Sequence, residues 1–321
     1  MQKEEYNALV YNQDALGIDD KEIYSTFFKQ IIPKIEENRG IKILFGNQDG
    51  SRARGMSNQS SDIDMHFFGE TENLEITYEL MCEEGQIADR TIVYDLAPHC
   101  LKRTLENVTA YGDVIRKYPT VFYRTDEEKK KYSPENIHWN IRYREDGEIF
   151  EFIQFLIADT IFINRQEKEK VDMNYFYRLV KTVDMLDLQF VRAYGNYNNL
   201  MIGKEEVLVR KYLYTLYEIF FCRWMIEYGT RPPMVLEELI RGGQELNKDV
   251  RQSVHRLMEV NRTSTGHKTK LKCCVDVVLN DYIGEMLEQL QDKIASYDRE
   301  ERYASIIERT EPERRQKIIF Y

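Results

Sequence analysis

The chain has 321 residues with 45 basic and 55 acidic side chains, which gives a formal net charge of −10 at pH 7. Its length suits two domains, and the acidic balance argues against a general nucleic-acid binder, which normally carries a basic surface. No apolar run reaches the roughly 18 residues needed to span a membrane. Because the five cysteines lack zinc-ligand spacing and the N-terminus lacks an apolar signal core, we expect a cytoplasmic protein.

The first half of the chain is predicted to alternate helices and strands. Residues 19–39 show the apolar periodicity of an amphipathic helix, which Gly40 is expected to end. Short apolar runs predict three strands, near 41–46, 62–68 and 90–96. The charged stretch 126–134 is a plausible domain boundary.

The second half is predicted to be mostly helical. Residues 150–162 are rich in aromatic and aliphatic side chains and indicate a buried helix. Further helical patterns cover 175–190, 205–228 and 276–297. We therefore predict an α+β protein with a mixed sheet and helices in an N-terminal domain (1–134) and a mostly α-helical C-terminal domain (135–321).

A turn that suits phosphate binding follows the first predicted strand. Gly50 lets the backbone approach a ligand because glycine has no Cβ. Ser51 opens a predicted short helix, where free backbone N–H groups and the serine hydroxyl favour an anion. The alternative is that Asp49 only caps this helix and no ligand binds.

Two carboxylates one residue apart suit a divalent metal ion. Side chains at i and i+2 of a strand point the same way, so Asp62 and Asp64 are expected to share one face. Two adjacent carboxylates repel each other unless a cation is present, and Mg²⁺ prefers such oxygen ligands together with substrate phosphates. The alternative is a solvated face of the strand.

These motifs resemble a known family. Gly50-Ser51-Arg52-Ala53-x-Gly55, followed by Ser61-Asp62-x-Asp64, resembles the core motif of nucleotidyltransferases of the DNA polymerase beta superfamily. More narrowly, the pattern is similar to bacterial and phage predicted nucleotidyltransferases linked to RNA repair, the RlaP or YcgL-like proteins. Other segments carry the same resemblance: 94–105, 117–120, 211–214, 222–224 and 232–239.

The resemblance implies both a reaction and its catalytic residues. A two-metal-ion nucleotidyltransferase would use Mg²⁺ or Mn²⁺ and a nucleoside triphosphate, and would release pyrophosphate as an acceptor hydroxyl attacks the α-phosphorus. The implied catalytic and metal-binding carboxylates are Asp62, Asp64 and Asp95, the last in the strand predicted near 90–96.

The resemblance also implies a set of nucleotide-binding residues. They are Gly50, Ser51, Arg52 and, from the helical domain, Lys211. Arg52 and Arg54 either contact phosphate or have no part in binding and simply pair with an acid or face solvent. For Arg54, having no part in binding is favoured. Lys211 either reaches the triphosphate or is solvated on its helix. Two aromatic residues, Tyr214 and Trp224, are further candidates near the cleft.

Four residues, at three places in the chain, depart from the family pattern and bear on the acceptor. Arg54 stands where an aromatic residue is usual, His66 where an arginine is common, and Pro98-His99 where the group has Gly-Trp. These departures leave the three carboxylates in place and predict a different acceptor or base pocket. The family association indicates an RNA end as acceptor. The alternatives are a protein or small-molecule hydroxyl, or a non-catalytic nucleotide-binding protein that kept the fold.

Overall fold

The computed structural model describes a large part of the chain in several ranges. They are residues 18–58, 61–72, 81–117, 149–180, 182–243, 246–264, 271–296 and 317–321. The predicted boundary at 126–134 lies outside these described residues.

A mixed sheet is the centre of the fold. Its strands within the described residues are β1 (Lys42–Asp49), β2 (Ile63–Glu70), β3 (Met81–Ile87), β4 (Arg90–Cys100), β5 (Thr160–Ile163) and β8 (Lys317–Phe320). Their spatial order is β3-β4-β2-β1-β5-β8. β2 is parallel to β4 and β5 is parallel to β8, whereas the other neighbours are antiparallel. The three strands predicted from the sequence are confirmed as β1, β2 and β4.

The predicted N-terminal helix covers one face of this sheet. It consists of α1 (Asp20–Thr26), a π-helical turn and α2 (Ile32–Arg39), and Gly40 ends it with a φ of 61°. The π-helical turn lies just before Pro33, whose missing N–H interrupts the regular hydrogen-bond ladder. The apolar side of the helix packs on the sheet with buried residues Ile23, Phe27, Ile31, Ile35, Met65 and Phe67.

Two helices cover the opposite face of the sheet, α4 (Leu101–Lys117) and a helix through 149–157, labelled α5; the short α3 (Gly50–Ala53) follows β1. Aromatic side chains fill this second core, among them Phe45, Phe68, Phe152 and Phe155. The prediction of one helix over 150–162 is wrong at its end. The β-branched and aromatic run Thr160–Ile163 instead pairs with the free side of β1 as β5.

The remaining described residues form a helical half. Its helices are α6 (Met173–Leu179), α7 (Thr182–Leu200), α8 (Val209–Tyr228), α9 (Leu236–Gly243), α10 (Lys248–Thr263) and α11 (Val277–Ala295). Two short strands, β6 (Glu206–Leu208) and β7 (Lys272–Cys274), pair beside them. The helix predicted over 205–228 therefore begins only after β6, and the one predicted over 175–190 is divided between α6 and α7. The predicted α+β class is confirmed.

Helix α8 is the centre of the helical core, because most of its residues are buried. No described helix has the length and apolar character needed to cross a membrane.

The helical half holds the loop that follows α3. The backbone N–H of Leu236 donates to the carbonyl of Arg54 at 3.0 Å, and the amide of Asn261 donates to the carbonyl of Met56 at 2.8 Å. The Met56 side chain is buried in the helical core itself. The segment with the Gly-Ser motif is therefore fixed from both the sheet and the helices.

Candidate active site

Gly50 lies at the point where β1 turns into α3 and touches a carboxylate. Its φ is 71°, a left-handed conformation that favours glycine. A Cβ added at this position would lie 1.7 Å from Oδ2 of Asp64. The close approach predicted for Gly50 is therefore made by an acidic side chain of the neighbouring strand.

The structure brings the three predicted carboxylates together. Asp64 in β2 lies directly beside Asp95 in the parallel strand β4, and Asp62 comes immediately before β2. One oxygen of each of the three carboxylates lies within 4.8 Å of the others. Three hard oxygen donors at this spacing fit Mg²⁺ or Mn²⁺.

A second group of titratable side chains lies next to the first. Asp49 pairs across the strands with Asp64, and one ligand atom each of Asp49, His66 and Glu151 lies within 4.8 Å of the others. The guanidinium of Arg54 lies 2.8 Å from Oδ1 of Asp49 and donates to Oε1 of a glutamine at 2.9 Å. Nδ1 of His66 forms an ion pair with Glu151.

The charges of this second group balance one another. Burial opposes the charged form of His66, yet Glu151, Asp49 and Asp64 raise its pKa to about 9, so the imidazole is protonated at neutral pH. Burial likewise opposes the charged form of Asp49, but Arg54 and protonated His66 hold the pKa of that carboxyl below its usual value. Two cations thus face two carboxylates, and both Arg54 and His66 are departures from the family pattern.

The two groups share a cavity between the sheet and the helices. Its volume is about 230 Å³, and Asp64 and Asp95 line it together with the second group. The helices contribute Phe150, Arg192 and Tyr214 to its wall. The cavity therefore joins a metal-type acidic cluster with aromatic and basic side chains.

Ser51 faces a smaller cavity of about 30 Å³. Its side chain is buried, and within the described residues neither its Oγ nor the buried Nε of Arg210 has a hydrogen-bond partner. Both residues line the small cavity, and Tyr214 lines it as well as the larger one. The small cavity thus holds two unsatisfied donors beside the acidic site.

Arg52 points to a different part of the molecule. Its guanidinium donates to the carbonyl of Ile18 at 2.8 Å and to Asp20 at 3.1 Å. It lines a separate cavity of about 1010 Å³ together with Gln48. Gln48 precedes Asp49 in β1, so the two side chains lie on opposite faces of the sheet.

Lys211 lines neither of the two cavities at the site. Its Nζ lies 3.4 Å from Oδ1 of Asn196, and burial together with Arg210 lowers its pKa. Sequence reasoning selected this segment but missed Arg210, because successive helical residues point about 100° apart. Trp224 donates to Thr230 at 3.0 Å and also lines neither cavity.

Sequence comparison confirms the resemblance that the motifs indicate. The family model RlaP, described as the RNA repair pathway DNA polymerase beta family, matches residues 188–309. An uncharacterized protein YcgL of Bacillus subtilis (strain 168) is 24% identical over 265 residues, which is 81% of this chain and 84% of that relative. The family match lies in the helical half, whereas the similarity to YcgL extends into the half that carries the carboxylates.

Proposed function

We propose that this protein is a metal-dependent nucleotidyltransferase that moves a nucleoside monophosphate from a nucleoside triphosphate to the hydroxyl of an RNA end. One observation carries the proposal: Asp62, Asp64 and Asp95 meet within 4.8 Å of one another, beside the Gly50-Ser51 turn. The similarity to a family described by RNA repair supports the choice of acceptor.

The carboxylates are proposed to divide the chemistry among them. When bound, two Mg²⁺ or Mn²⁺ ions neutralise charge on the leaving pyrophosphate and activate the attacking hydroxyl. Asp62 and Asp64 hold the triphosphate side of the site. Asp95 orients the acceptor hydroxyl and accepts its proton as the new phosphodiester bond forms and the bond to pyrophosphate breaks.

The nucleotide is proposed to extend from the acids into the small cavity. A space of about 30 Å³ holds about two water molecules, which suits phosphate oxygens and not a base. There the Ser51 hydroxyl and the Arg210 guanidinium are the donors, because a guanidinium forms strong hydrogen bonds with phosphate oxygens. Gly50 keeps this path clear, and Tyr214 forms the wall between the two cavities. Arg52 and Lys211 are weaker candidates because they face other partners.

We do not assign a metal ion to the second group. A cation bound to Asp49, His66 and Glu151 would have to displace both the imidazole proton and the Arg54 guanidinium. The balanced charges of the second group support a structural role instead, in which Arg54 and His66 stabilise the strands next to the reaction centre.

The proposal is tested by incubating the protein with each labelled triphosphate, Mg²⁺ or Mn²⁺, and RNA, protein or small-molecule acceptors. We expect pyrophosphate release and label on RNA, both lost in Asp62→Asn and Asp64→Asn but retained in Asp281→Asn, an exposed residue of α11. Failure to release pyrophosphate with any acceptor would overturn the enzyme assignment. Label on a protein or small molecule would overturn the acceptor.

A further inference from the structure

Two cavities lie at the site, and Arg192 is held in one orientation at the wall of the larger of these two, whose volume is about 230 Å³. Its Nε lies 3.2 Å from Oε1 of Glu218, and its guanidinium carbon lies 3.8 Å from the centre of the Phe150 ring. These two contacts fix the plane of the guanidinium. Within the described residues, its two terminal amino groups remain as donors for a ligand in the cavity that Arg192 lines.

The carboxylate that orients Arg192 is itself anchored. Oε2 of Glu218 accepts from the amide of Asn196 at 3.4 Å, and Oδ1 of Asn196 accepts in turn from Lys211. The Glu218 side chain is 3% exposed, whereas that of Arg192 is 46% exposed. Burying a carboxylate costs free energy, and an ion pair to a half-exposed arginine returns little stability. The arrangement is therefore better explained by ligand binding than by stability.

Phosphate is a ligand whose geometry matches such a guanidinium. Its planar, delocalised fork binds phosphate oxygens in pairs. Arg192 and Phe150 line only the larger cavity, whereas Ser51 and Arg210 line only the small one, with Tyr214 common to both. If the triphosphate extends from the acids into the small cavity, the other cavity at the site, which Arg192 lines with Asp64 and Asp95, is left for the acceptor.

We propose that Arg192 binds a backbone phosphate of the acceptor, so that the acceptor is a nucleic-acid end and not an isolated hydroxyl. This inference rests on the proposed function, because it takes Asp62, Asp64 and Asp95 as the reaction centre. Glu218 and Phe150 act as positioning residues that keep the guanidinium aimed at the strand.

The first test measures strand binding directly. Fluorescence anisotropy follows a fluorescein-labelled oligoribonucleotide with a free 3′ hydroxyl, with Ca²⁺ as the divalent ion. We expect Arg192→Gln to weaken binding about tenfold or more, the effect of losing one charge-assisted phosphate contact. The matched control is Arg256→Gln, since Arg256 is also an exposed arginine paired with a buried acid, Asp276, but lines none of the cavities described above. Equal binding by both variants and the native protein would overturn the proposal.

A second test removes the charge from the nucleic acid instead of from the protein. Oligoribonucleotides carrying one uncharged methylphosphonate linkage at a time are titrated into the native protein. We expect one linkage near the 3′ end to reproduce the loss seen with Arg192→Gln, and that variant to be insensitive to the same linkage. Arg192→Lys, which keeps the charge without the planar fork, should give an intermediate loss. A variant that remains as sensitive to this linkage as the native protein would contradict the contact.

Nucleotide binding separates this inference from the proposed function. Calorimetry with an α,β-methylene triphosphate analogue is expected to give equal affinities for the native protein and Arg192→Gln. If the variant loses nucleotide but retains RNA, Arg192 serves the triphosphate and the inference is wrong. If the native protein binds nucleotide but no RNA, the acceptor class is wrong while the triphosphate site stands. If it binds neither, the proposed function and the inference fail together.

Discussion

Replacing Gly50 by alanine is expected to displace a proposed catalytic carboxylate and so to lower the rate of catalysis. The added Cβ would lie 1.7 Å from Oδ2 of Asp64, whereas ordinary contact is about 3.5 Å. The Asp64 carboxylate must then retreat by about 1.8 Å. Cγ and Cβ of Asp64 would also lie only 2.3 Å and 2.9 Å from the added carbon, so the whole side chain must shift. A displacement of about 1 Å at a reacting centre can lower the rate roughly 100-fold. We therefore expect turnover to fall at least roughly 100-fold.

Two other glycines supply controls for backbone strain. Gly40 and Gly203 also have positive φ, 61° and 68°, and a Cβ at either position meets nothing within 4 Å. Alanine at Gly40, Gly203 or Gly50 should cost about 1–2 kcal/mol of left-handed strain. Only Gly50→Ala adds the collision with Asp64.

The assay combines urea unfolding with pyrophosphate release. We expect Gly50→Ala to lose more free energy of unfolding than Gly40→Ala or Gly203→Ala, and to be the only one of the three variants that loses turnover and affinity for Mn²⁺. If Gly50→Ala turns over as fast as Gly40→Ala, the position of the Asp64 carboxylate does not limit the reaction and the assignment of this site is refuted.

Further predictions concern the neighbouring groups. Arg210→Gln should weaken triphosphate binding about tenfold because a charged phosphate donor is lost, whereas Lys211→Gln should leave the affinity unchanged in the same titration; the reverse order would restore Lys211 as the phosphate ligand. Arg54→Met should lower the free energy of unfolding in urea by about 3–5 kcal/mol, because it leaves a buried carboxylate unpaired; a loss below about 1 kcal/mol would show that this pair is not buried in solution. Mn²⁺ should raise the melting temperature because it binds the folded state. EDTA and Asp95→Asn should abolish that increment while Glu151→Gln retains it, and loss only in Glu151→Gln would move the metal to the second group.

Local pattern was enough to predict the strands that carry the acids. The alternation in β2 placed Asp62 and Asp64 on one face because side chains in a strand repeat every two residues. The resemblance to the family then selected Asp95, and the parallel register of β2 and β4 sets it beside Asp64. These positions could be predicted because each depends on the residues next to it in sequence or on a recurring motif.

Residues from the helices could not be predicted in the same way. Glu151 reaches the cavity because α5 packs on the sheet, and Arg192 reaches it because α7 packs on α8. Neither residue belongs to a local pattern. The run Thr160–Ile163 was assigned to a helix because a short apolar segment fits either structure. The segment forms a strand because the edge of β1 opposite β2 is open to pairing. The sequence of the segment itself does not show that this edge is open.

The register that joins Asp64 to Asp95 has a consequence for how the chain folds. Parallel strands such as β2 and β4 cannot be joined by a tight turn, so β3 lies between them in sequence. β1 likewise pairs with β5, a strand from much later in the chain. Such non-local pairing slows folding because long loops must close before the contacts form. The acidic cluster should therefore appear late on the folding pathway, and divalent ions should slow unfolding while leaving the rate of folding almost unchanged.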